Sequence, residues 1–185
     1  MKNFILGIIV ALGVLIVGGL GWALLGYMPT SADESPRRFE ARLANMALDA
    51  AMERRAPRAT SPLPPTDENL IAGMKLYTMN CAGCHGGLDR KPAAFGASFY
   101  PPAPQLIVNP VDDPEWHVFY AVRTGVRYTG MPAWGKTLSE PDIWKITAFL
   151  VRVEKLPPAA QDFWKKSTGT EPPATESGDH KDHHE

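Results

Sequence analysis

The chain has little cysteine, little net charge and little uninterrupted apolar sequence. Cysteine occurs twice in 185 residues, so no disulfide framework holds the fold and a four-cysteine zinc site is excluded. The formal charge almost cancels, at −1, which gives no electrostatic reason to expect a nucleic-acid partner. Long apolar sequence is confined to one stretch, Phe4 to Met28. Proline and glycine are plentiful, at 18 and 16 residues. That composition suits a loop-rich protein with proline-rich connectors, and the length suits one domain with appendages.

Both cysteines lie in Cys81-Ala82-Gly83-Cys84-His85, a C-x-x-C-H. This is the attachment signature of a c-type haem. Two thiols at this spacing add across two vinyl groups on one porphyrin edge. The following histidine is then carried under the iron and ligates it, which makes His85 the proximal metal ligand. A structural zinc site wants about four ligands. A thioredoxin-like redox pair wants a βαβ surrounding, whereas these flanks read as helix and loop. A Cys81–Cys84 disulfide would leave His85 unexplained. The expected cofactor is one covalently attached haem c, added on the export side of a membrane.

The uncharged run covers 25 positions, and as a helix it spans about 37 Å against a hydrocarbon core of roughly 30 Å. Lys2 precedes it, and Asp33 and Glu34 follow. The basic side tends to stay in the cytoplasm. Residues 1–30 are therefore expected to be a single-pass anchor in the cytoplasmic (inner) membrane, with the haem domain on the periplasmic or outer face. Trp22 and Tyr27 would mark the outer interface. The competing reading is a cleaved signal peptide ending near Thr30-Ser31-Ala32, although a signal's apolar region usually spans about 7–15 residues.

Residues 31–65 read as a spacer helix and a proline-rich linker. Phe39, Leu43, Met46 and Ala50 recur at helical spacing. The segment is either a solvated spacer or a helix lying on the membrane or against a partner subunit. Residues 66–157 read as the compact domain. Thr66 caps a helix that runs into the haem motif, and Gly73 inside it costs about 1 kcal/mol against alanine, which implies a close packing contact. Ser139 caps a later helix with Pro141 in its first turn, and Ile143, Ile146, Phe149, Leu150 and Val153 form its apolar stripe. A shorter helix over Asp113–Thr124 is expected to be capped by Asp112 or Asp113 and closed by Gly125. Residues 158–185 read as a polar, disordered tail. Its His180, His183 and His184 would at most bind a divalent metal loosely.

From about Thr66 to Pro157 the chain resembles the class I cytochrome c family in its small bacterial single-haem form. The residues that carry the likeness are the C-x-x-C-H, Gly73 and Tyr77 as a G-x-x-x-Y, the aromatic pair Trp144 and Phe149, Pro104 and Leu106 of a G-P-x-L, and the Met131-Pro132 pair. Ala103 stands where the family has the glycine of G-P-x-L. The resemblance implies a mostly α fold, a helical domain around a covalent haem, preceded here by one N-terminal transmembrane helix. It implies that Gly73 lets the first domain helix cross the last one closely, and that the Pro104 carbonyl accepts a hydrogen bond from His85. It implies also that Met131 supplies the second axial ligand through sulfur, a soft donor that favours Fe(II). His117 is the other histidine weighed as a ligand. Trp134 and Arg127 lead the candidates to hydrogen-bond the haem propionates, ahead of Arg123, Tyr100 and Tyr128.

The implied function is one-electron transfer in a bacterial respiratory chain by a membrane-tethered carrier that is not itself an enzyme. Its partners would be a quinol-oxidising complex and a terminal oxidase or reductase. Two other readings stand beside it. One is a fixed haem subunit of a respiratory oxidase or reductase complex, the other a haem-based ligand sensor in which Met131 is displaced.

Overall fold

The computed structural model describes residues 1–173 of the chain. The histidines of the C-terminal tail, His180, His183 and His184, lie outside the described residues. The chain divides into two units, Met1–Ala32 and a second that begins at Asp33. The first unit is helix α1, Lys2–Leu24, which is long and apolar enough to cross a membrane.

Among the described residues the second unit is helical, with no strand. Its elements are α2 (Arg38–Arg55), α3 (Asp67–Asn80), the short α4 (Ala82–His85) and α5 (Ala94–Ala97), α6 (Glu115–Thr124), a 3₁₀ turn (Trp134–Lys136), α7 (Glu140–Leu150) and α8 (Pro158–Thr168). Local chemistry sets the main boundaries. The Thr66 hydroxyl accepts from the Asn69 N–H at 3.3 Å, and the Ser139 hydroxyl accepts from the Asp142 N–H at 3.3 Å. Each satisfies a backbone donor that the first helical turn leaves free.

The core forms where α3 crosses α7. A Cβ on Gly73 would lie 2.1 Å from the Lys145 carbonyl oxygen, so the two backbones meet with no side chain between them. On either side of that contact the expected stripe of α7 is buried, including Ile143, Ile146, Phe149 and Leu150. Tyr77 stands edge-on to Phe149 at 5.5 Å between ring centroids, and Phe119 of α6 stacks flat on Trp144 at 3.9 Å. Both arrangements are favourable for aromatic rings.

Three local expectations need correction. The helix expected to be capped by Asp112 or Asp113 begins at Glu115, with Pro114 at the cap and no side-chain cap bond. Proline fixes the entry φ there, and the Asp113 carboxylate instead meets His117 Nδ1 at 2.7 Å. The tail expected to be disordered from residue 158 starts with α8, in which Ala160 and Trp164 are fully buried. Those two residues and Phe163 sit at helical spacing, and a strand of hydrogen bonds from Trp164 Nε1 through Thr170 Oγ1 to the Leu88 carbonyl ties the helix end to the loop after the haem motif. The spacer helix α2 is not solvated all round. Met52 and Ala56 at its C-terminal end are buried, and Arg58 just beyond lies over the Trp116 ring at 5.4 Å.

Gly73→Ala is expected to lower stability by about 3 kcal/mol, the upper range for overpacking, read as a shift in the denaturant midpoint of the haem-loaded protein. A smaller effect would mean that the crossing yields. Ser139→Ala is expected to cost about 1 kcal/mol at neutral pH. Hydrogen bonds from Lys145 and then Ser139 hold the Asp142 carboxyl below its ordinary value of 3.8. Stability from a depressed carboxyl is present above the ordinary value and is lost as pH falls through the folded-state value. Denaturation across pH should therefore show the gap between wild type and Ser139→Ala narrowing below about pH 4.

Candidate functional site

The haem motif is one tight turn at the end of α3. The Cys84 and His85 N–H groups both donate to the Cys81 carbonyl, at 3.1 and 2.9 Å, which puts both sulfurs and the imidazole on one short bend. Tyr77 holds that bend from inside the core. Its hydroxyl donates to the carbonyls of His85 and Gly86, at 3.1 and 2.8 Å. Burial, with Cys81 second, pushes the Tyr77 phenol far above its ordinary value, so it remains a donor at any ordinary pH. Cys81 and Cys84 are not joined by a disulfide. Burial, and then the neighbouring Cys84, push the Cys81 thiol up to about 12.

His85 Nδ1 lies 2.8 Å from the Pro104 carbonyl oxygen. A carbonyl can only accept, so the proton sits on Nδ1 and the Nε2 lone pair is left for a metal. Ala103 in place of glycine does not disturb this contact. The loop that carries Pro104 is fastened by Gln105, which no sequence pattern singles out. Its side-chain amide donates to the carbonyls of Cys84 and Ala103, at 3.1 and 2.9 Å, and its oxygen accepts from the Ala93 N–H at 2.8 Å. The Leu106 N–H donates to the His85 carbonyl at 3.0 Å. Haem motif and crevice loop are thus stitched from both sides.

Met131 sits on a second loop, closed on itself. The Val126 N–H donates to the Met131 carbonyl at 3.2 Å, while the Thr129 hydroxyl donates to Val126 and accepts from the Met131 N–H. Gly125 ends α6 with φ of 67°, and a Cβ there would lie 2.6 to 2.7 Å from the Met131–Ala133 backbone. Glycine is required on both counts. Met131 and Trp134 are half-buried against the same apolar cluster that contains Cys81. Two thiols, an imidazole with its far nitrogen free and a thioether on a braced loop are the donor set of a c-type haem site, and these residues fit one.

The remaining candidates are dispersed. Arg127 is exposed and lines a groove between α2 and α6, beside Leu48 and Met52. Arg123 pairs with Glu140 at 3.0 Å, and Tyr100 donates to Glu40 of α2 at 2.7 Å. Both have partners other than a propionate. Tyr128 is fully exposed. His117 is turned to Asp113, and its Nε2 is buried with no partner among the described residues.

Residues 68–150 match the family model described as cytochrome C oxidase, cbb3-type, subunit III. A solved chain titled as part of a reducing HAO-like protein complex of Kuenenia stuttgartiensis is similar at 25% identity and a TM-score of 0.41, over 54% of this chain and 52% of that one. The chain thus spans about half the length of that neighbour. No curated protein matches the chain.

Gln105→Ala would leave the Cys84 and Ala103 carbonyls and the Ala93 N–H without their partner. Each unsatisfied buried group costs about 1–3 kcal/mol. The haem-loaded variant is expected to unfold at lower denaturant and to be cut faster by protease within residues 90–106. An unchanged cleavage rate would show that Pro104 is held without Gln105.

Proposed function

We propose that this chain, whose residues 68–150 are a class I cytochrome c domain, is a membrane-tethered one-electron carrier of a bacterial respiratory chain. The observation that carries the reading is the His85 Nδ1 contact to Pro104 at 2.8 Å, on the turn that presents both thiols. One bound haem c supplies reversible Fe(III)/Fe(II) chemistry. The protein's part is to keep the coordination fixed while one electron comes and goes. Cys81 and Cys84 would hold the group covalently. His85, oriented by Pro104, would ligate the iron through Nε2. Met131, on its self-closed loop, would be the second ligand, and its thioether favours the reduced state. A haem held by both side chains would offer no free position to a substrate, which separates a carrier from a sensor. Trp134 and Arg127 are the propionate partners in this reading. The α1 helix is an uncleaved anchor in the cytoplasmic membrane, with the haem domain on its outer face. Partners are a quinol-oxidising complex on one side and a terminal oxidase or reductase on the other.

A second reading has a specific observation in its favour. The family model that matches is described as a subunit of an oxidase, which suits a fixed haem subunit of a respiratory complex. Purification in mild detergent distinguishes the two, since a fixed subunit arrives with stoichiometric companions and a carrier arrives alone.

The test of the haem site is optical. The oxidised wild-type protein is expected to show a methionine-to-iron charge-transfer band that Met131→Ala abolishes. The reduced wild type should ignore carbon monoxide, and the variant should bind it. A wild-type reduced spectrum that shifts with carbon monoxide would replace the carrier with a ligand-binding haem protein.

A further inference from the structure

Helix α2 carries two apolar faces. Ala41, Leu48 and Met52 lie along one of them and are buried or half-buried against the haem domain. Phe39, Leu43, Met46 and Ala50 lie on the opposite side, about 180° round the helix. The three large ones are among the most exposed apolar side chains of the second unit, at 79%, 55% and 60%. Nothing among the described residues covers them, although Phe39, Leu43 and Met46 form a continuous stripe.

We infer that this stripe lies in the interfacial layer of the membrane that holds α1. The inference rests on the anchored reading of that helix. Three observations favour a bilayer over a protein partner. The chain from Leu25 to Arg37 is 13 residues, which reaches at most about 45 Å when fully extended, short enough for α2 to meet the surface where the span emerges. Arg42 and Arg54 flank the stripe, and Glu53 beside Arg42 is paired with Arg58; the long arginine stems cover apolar surface while their charges stay in the headgroup region. The stripe is also small. Its three large side chains follow one another over about 10 Å of helix, whereas a stable protein interface buries about 800 Å² per partner. A weak contact suffices for a surface already tethered to its partner, because the tether supplies a high effective concentration. The opposite face of α2 grips α6, and Glu40 accepts from Tyr100 of the crevice loop. A membrane contact along the stripe therefore fixes how the haem domain is turned toward the bilayer.

The test uses the full, haem-loaded chain in vesicles of phosphatidylcholine and phosphatidylglycerol. Leu43 is replaced by benzoylphenylalanine in one protein and Ala44, which faces away from the stripe, in another. After illumination, mass spectrometry is expected to find lipid adducts at position 43 and none at position 44. A cross-linked dimer from position 43 would mean that a second copy covers the stripe. Absence of both products, in protein that stays with the vesicles through an alkaline carbonate wash, would put the stripe in water. Either result overturns the inference and leaves the anchor standing. Protein released by the wash would overturn the anchored reading and the inference with it.

Discussion

At Gly73 one helix backbone rests on another, and the placement of the haem motif depends on that contact. Without it α3 would stand off from α7 by the width of a side chain. Tyr77, one turn further on, would then lose its edge contact with Phe149 and its reach to the His85 and Gly86 carbonyls. The haem motif begins at Cys81, immediately after the last turn of α3. A shift at the crossing is therefore delivered to the two thiols and the imidazole almost undiminished. Interiors packed at crystal-like density transmit such displacements.

The second requirement is that two unperiodic loops stay still. Loops have few packing contacts to hold them, so their backbones must be tied by hydrogen bonds. The crevice loop is tied by one side chain, Gln105, which satisfies two carbonyls and an N–H. The Met131 loop is tied by Thr129, whose hydroxyl donates to Val126 and accepts from Met131. The same device appears twice, with a polar side chain acting as a surrogate backbone. A centre that exchanges one electron without changing ligands benefits from such rigidity, because any rearrangement of the ligands adds to the barrier.

What could be read from the sequence was what is local or periodic. The C-x-x-C-H, the Thr66 and Ser139 caps and the α7 stripe depend on residues within a turn or two of each other, and the structure has the caps and the stripe from Ile143 to Leu150 as expected, with Val153 buried in the turn after the helix. Gly73 was legible for a different reason, since a glycine inside a helix calls for a close neighbour. Gln105 was not legible, because its partners lie up to 21 residues away in sequence and no pattern joins them. Helix α8 was hidden by averaging: its Ala160, Phe163 and Trp164 stripe is diluted by the polar residues that follow. In α2 the periodic face of Phe39, Leu43 and Met46 is exposed, and a second face through Leu48 and Met52 packs on the domain. Leu43 and Leu48 are the same residue, as are Met46 and Met52, so side-chain size does not distinguish the two faces. Tertiary fit chose the face.

The substitution of Ala103 for a family glycine follows from the same geometry. A glycine is needed wherever two backbones approach too closely for a Cβ. In this chain that place is Gly96, where a Cβ would lie 1.9 Å from the Cys84 carbonyl oxygen. Ala103 donates its N–H to the Gly96 carbonyl at 2.9 Å, so the crevice loop is pinned to α5 at the point where α5 is pressed on the haem motif. With Gly96 making the close approach, the Ala103 N–H bonded to the Gly96 carbonyl and its own carbonyl bonded to Gln105, position 103 has both backbone groups satisfied while it carries a methyl group. The Pro104 carbonyl then meets His85 through the strapping around it. The constraint belongs to the distance between two backbones, and a different glycine can satisfy it.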